Sequence, residues 1–220
     1  MEILYLNREL WSVDWAIGLF VLSFALLAVN RLVFHYRFDE FVKLPLTDKY
    51  IKIYRDTSNL KSSFTMSMFA VQLVSYSFVI LLFLGTQNYL NPYNWVDFLK
   101  VINFLVLFVL TKFLIDKIIA ECFDIQLFSD KYNLMKVNYR TYLGVMLLPL
   151  AMLMFFQPAL LRIGLWIGLF MIVLINILLF TKIYKSNRNA IMGNLFYFIL
   201  YLCTLEIAPY LILYKWIENY

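Results

Sequence analysis

Residues 195–217 read LFYFILYLCTLEIAPYLILYKWI. A helix that crosses a bilayer needs about 20 predominantly apolar residues, and this run supplies them. Near its midpoint stands one carboxylate, Glu206, followed three positions later by Pro209. A carboxylate at that depth is expensive: an insertion scale charges about 2.5–3.5 kcal/mol for an Asp at the centre of a helix. A segment that carries such a residue needs other segments around it. The stretch therefore points to a multi-pass helical bundle.

Composition agrees. The chain has 220 residues, of which 63% are hydrophobic and 15% charged, with a mean hydropathy of +0.76. A soluble domain averages about 45–50% apolar and about 25% charged residues. The apolar excess lies in long runs, twice the ten or so residues of an outer-membrane barrel strand, and the runs do not alternate. Lipid offers backbone groups no water to bond, so the runs must be helices. The expected fold is all-α, one transmembrane domain over residues 1–220. Six spans are expected, at about 15–34, 63–84, 97–115, 141–156, 163–180 and 195–217. The third is expected to continue as helix to 120, and the fourth to be short and broken by Pro149.

Charge orients these spans. Basic residues gather on the cytoplasmic side of membrane proteins. Fifteen of the 19 lie between spans one and two, three and four, or five and six; only Arg8, Lys100, Arg162 and Lys215 lie on the other side. All five tryptophans (Trp11, Trp15, Trp95, Trp166 and Trp216) fall on that second side, as expected for rings that favour the headgroup layer. Both termini are then expected on the outer, periplasmic side of a bacterial inner membrane. The start, MEILYLNRELWSVDW, lacks the basic n-region and small-residue cleavage site of a signal peptide. A net charge of +5 is ordinary here and suggests no nucleic acid. Cys122 and Cys203 read neither as a disulfide nor as half of a metal motif.

Two basic connections are longer than turns. Residues 35–61 carry Phe38, Phe41, Val42 and Leu44, and residues 121–140 carry Phe128, Leu134 and Met135 among charges. Such mixtures read as amphipathic pieces at the interface, resting on lipid headgroups or docking a partner. No repeat of 20–50 residues is visible.

The polar residues inside spans are the candidates for chemistry. Pro209 leaves the carbonyl of Leu205 without its helical donor, beside Glu206. Glu206 reads either as a proton or cation site or as a protonated packing residue that joins two helices. Asn176, at mid-depth in span five, is its first candidate neighbour. Gln72, Asn103, Asn176 and Asn30 are each expected to face the bundle and bond another helix. Lys112 and Asp116 stand i, i+4 on span three and can pair. Near the cytoplasmic boundary Lys can reach water, which favours an interface-level ion pair over a gate or relay leading to Glu206. Gly164 and Gly168 form a G-x-x-x-G, a weak pointer to close helix approach or a homo-oligomer.

Absences narrow the classes. The single histidine, His35, argues against bis-histidine haem, histidine-rich di-iron and H-E-x-x-H zinc sites. There is no phosphate-binding glycine loop and no nucleophile elbow. No cofactor and no metal are expected.

The string YLCTLEIAP at 201–209, with LLPL at 147–150 in support, resembles an uncharacterised family of integral inner-membrane proteins of Bacteroidota, known only as a domain of unknown function. The resemblance implies a multi-pass cytoplasmic-membrane protein from that phylum. It supplies no activity, cofactor or catalytic residue. The first expectation for function is a non-enzymatic subunit or assembly factor of an envelope complex (secretion, gliding or surface lipid), with membrane lipid and other inner-membrane proteins as partners. The alternative is a small proton- or ion-coupled transporter using Glu206. A membrane-embedded lipid-modifying enzyme ranks third.

Overall fold

The computed structural model describes residues 13–45, 50, 53, 62–122 and 126–186. Within them all regular structure is helical: α1 (Asp14–Val33), α2 (His35–Val42), α3 (Ser63–Thr86), α4 (Trp95–Cys122), α5 (Gln126–Phe156) and α6 (Leu161–Ser186), with a 3-10 turn at Pro158–Leu160 before α6. Five of these helices are long and apolar enough to cross a membrane. The segment 195–217 lies outside the described residues.

α3 and α5 form the centre. In their most apolar stretches 44% and 50% of residues are buried, against 11% for α6, which turns most of its surface outward. The two central helices touch where Gly144 meets Gln72: a Cβ on Gly144 would stand 2.8 Å from Gln72 Cα. Beside this crossing Thr141 Oγ1 donates to Gln72 Oε1 at 2.8 Å, and Tyr76 OH donates to the carbonyl of Arg140 at 2.9 Å. α1 joins α3 through Ser67 Oγ, which donates to Asn30 Oδ1 at 2.8 Å. Gln72 and Asn30 thus bond neighbouring helices. Asn103 sits on an exposed face of α4.

Contacts sort the connections into two ends. At the first end the indole N–H of Trp15 donates to the carbonyl of Tyr93 at 3.3 Å, and Trp15 also packs on Phe98 and Phe155. The start of α1, the α3–α4 turn and the end of α5 therefore meet there. At the other end Tyr139 OH donates to the carbonyl of Leu44 at 3.4 Å, so the connection after α1 meets the first half of α5. The described spans alternate in direction, with the tryptophans at one end and most of the basic residues, Lys100 and Arg162 excepted, at the other.

Three local expectations change. The fourth span is not short or broken: α5 runs 31 residues with Pro149 inside it. Pro149 sits on an exposed face, while Leu147, Leu148 and Ala151 around it are fully buried. Packing on both sides of the proline holds the helix across one missing hydrogen bond. The second half of the connection 121–140 is not a surface strip: from Gln126 onward the chain is helix, and Asn133, Leu134, Met135 and Tyr139 are buried. The connection after span one folds in as well. Phe41 is 2% exposed and meets the rings of Tyr50, Phe64 and Tyr142 at about 6 Å. Arg37 clamps α2 to the start of α3, donating to Ser62 Oγ at 2.9 Å and Thr65 Oγ1 at 3.1 Å and lying over the Phe64 ring.

Candidate functional site

At the basic end, α3, α4 and α5 line a half-open cavity of roughly 80 Å³. α4 contributes Lys112 and Asp116, one helical turn apart, with Phe108, Val109 and Phe113 on adjoining positions. α5 contributes Asn133, Lys136, Val137 and Arg140, whose spacing of three, one and three residues places them on one face. α3 supplies Phe69 and Gln72.

Lys112, Asp116 and Lys136 are 7%, 3% and 5% exposed. These are groups that almost never leave water without a partner. Lys136 Nζ stands 3.9 Å from Asp116 Oδ2, an ion contact longer than a hydrogen bond. Taking both charges from water costs several kcal/mol per ion, which mutual attraction repays only with good geometry and further hydrogen bonds. The described lining holds three cations (Lys112, Lys136 and Arg140) and one carboxylate, Asp116. The rest of the described lining is the two amides Gln72 and Asn133 and the apolar Phe69, Phe108, Val109, Phe113 and Val137; the apolar side chains lower the local dielectric and strengthen the charge interactions inside.

Lys112 and Asp116, read from the sequence as a pair able to reach water, are thus walled in, and α5 brings Lys136 to Asp116. Asn133, Lys136 and Arg140 escaped the sequence reading because they were assigned to a surface connection. Their register was the available signal. Lys136 and Arg140 continue at helical spacing into the buried stripe of Gly144, Leu147 and Ala151.

Other candidates lie elsewhere. Asn176 is on an exposed side of α6 and its amide donates to the carbonyl of Ile172, within its own helix, at 2.8 Å. Gly164 and Gly168 face α5 inside the chain: a Cβ on Gly164 would strike Met154, and one on Gly168 would touch Leu150 at 3.6 Å. Glu206 and Pro209 lie outside the described residues. Among those described, no group of three or more His, Cys, Asp or Glu side chains could hold a metal.

One domain family, described as a domain of unknown function (DUF4271), matches residues 16–217. The chain belongs to the DUF4271 family. The match takes in the five long helices, except the first two residues of α1, and the segment that carries Glu206. No curated protein and no solved structure matches the chain. DUF4271 names no activity, so the functional reading rests on the cavity.

Proposed function

We propose that the chain is a non-enzymatic, six-span protein of the inner membrane of a Bacteroidota bacterium, with both termini in the periplasm, and that it handles a proton or small ion. In this reading the charged cavity is the cytoplasmic mouth of a path toward Glu206. One observation carries it: ionisable side chains walled into a membrane bundle, where such residues typically mark ion pathways and relays. Asp116, held against Lys136, is the group that would exchange a proton, and Lys112 on the next turn sets the local field. The test is proton flux in proteoliposomes that enclose a pH-sensitive dye. Flux above that of empty vesicles, lost in Asp116→Asn and Glu206→Gln while the protein stays folded, is the expected result. Flux equal to that of empty vesicles would remove the reading.

The second reading, a subunit or assembly factor of an envelope complex, draws on α2. Its inner face is anchored by Phe41 and the 7%-exposed Glu40, while Tyr36 on its outer side is 61% exposed. A partner would meet that outer side. Purification from native membranes in mild detergent separates the two readings. A stoichiometric partner, lost on Tyr36→Ala, favours the subunit; a chain that purifies alone favours ion handling.

A further inference from the structure

We infer that the cavity between α3, α4 and α5 is a binding site for the headgroup phosphate of an anionic phospholipid. This goes beyond ion handling and stands whether or not ions move, because it concerns what occupies the cavity at rest.

The first support is depth. Asp116 lies 21 residues along α4 from Trp95, and Lys136 lies 20 residues along α5 from Phe156. At 1.5 Å per residue both are about 30 Å from the tryptophan end. That is about the thickness of the hydrocarbon core, so two helices independently place the cavity at the headgroup level of the opposite leaflet. The second support is charge. Lys112, Lys136 and Arg140 share the described lining with the single carboxylate Asp116, and a basic pocket between helices on the cytoplasmic side suits a phosphate-bearing lipid headgroup. Arg140 adds a planar fork that matches phosphate oxygens two at a time. The third support is the apolar wall. Phe108 and Val109 lie nearer the membrane centre than Asp116 on the same helix, and Phe113 is 46% exposed to the outside of the bundle. A free anion has no use for these rings. A lipid places its glycerol and first methylenes there.

The test uses the full chain, purified and delipidated in detergent, with thermal unfolding as readout. The probes are a short-chain phosphatidylglycerol, the matching phosphatidylcholine and inorganic phosphate. The expected result is a concentration-dependent rise in melting temperature with phosphatidylglycerol alone. In Arg140→Gln, a half-buried position chosen so that folding survives, the midpoint for that rise moves at least about tenfold, the loss of one charge-assisted contact. Lys136→Arg, which keeps the charge, retains the response. Native mass spectrometry of the undelipidated protein should show phosphatidylglycerol-mass adducts reduced in Arg140→Gln. Equal responses to phosphatidylglycerol and phosphatidylcholine would overturn the inference, since charge would not be read. A phosphatidylglycerol response unchanged in Arg140→Gln would overturn it by placing the lipid elsewhere. A response to inorganic phosphate equal to that of phosphatidylglycerol would overturn the lipid in favour of a free anion.

Discussion

At the residue scale the Asp116–Lys136 pair dominates. Its groups are both nearly out of contact with solvent and 3.9 Å apart. Removing one partner takes a counter-charge from the other, a loss of up to about 3–5 kcal/mol for a buried pair, whereas replacing a whole pair with apolar groups of similar volume is often neutral or stabilising. Lys136→Met is therefore expected to lower the melting temperature in detergent sharply, and Lys136→Met with Asp116→Leu to recover much of the loss. Equal losses in the single and double variants would show that the two charges are not energetically coupled. The hydroxyl of Thr141 on Gln72 is a smaller effect of the same kind. Interhelical hydrogen bonds in membranes average about 0.6 kcal/mol, so Thr141→Val should cost little.

At the element scale the α3–α5 crossing sets the bundle, and its closeness depends on Gly144. Any Cβ there enters the backbone of α3 at Gln72. Overpacking of this kind costs about 1–3 kcal/mol, so Gly144→Val should lower the melting temperature and reduce the amount of folded protein in membranes. Gly18, with nothing within 4 Å of a Cβ, is the control: Gly18→Ala should be neutral or slightly stabilising, since alanine restricts the unfolded chain. Pro149 makes the converse case. It is exposed and inside a continuous helix, so Pro149→Ala should leave stability unchanged or raise it by restoring the bond to Val145. A clear drop would mean that the proline sets a bend the bundle needs.

At the scale of the whole molecule, alternating spans separate a tryptophan end from a basic end. If the basic end is cytoplasmic, Cys122, exposed at the end of α4, should resist a membrane-impermeant thiol reagent in intact cells and react after permeabilisation. The measurement is made in a Cys203→Ala background. Labelling of intact cells would reverse the orientation, and with it the leaflet assigned to the lipid site.

Much of this was legible in the sequence. Apolar runs of about 20 residues can only be helices in lipid, and a bilayer fixes their length, so the spans at 15–34 and 63–84 fall within two residues of α1 and α3 at either end. The clustering of Lys and Arg into alternate connections is equally a property of the linear chain. What the sequence could not tell is where polar residues outside the apolar runs go. Residues 126–140 carry enough charge to resemble a surface strip, yet they continue α5, and from Asn133 onward they pack into the bundle, with Leu134 buried and Met135 and Tyr139 part of its core. Phe41 looked available for docking and is instead core. The cavity exists only because α5 turns Lys136 and Arg140 toward α4, a pairing of residues twenty or more positions apart that no local period encodes. Hydropathy is additive along a chain and can be read from it. Which charge meets which is decided by helix packing, and only the tertiary structure holds that information.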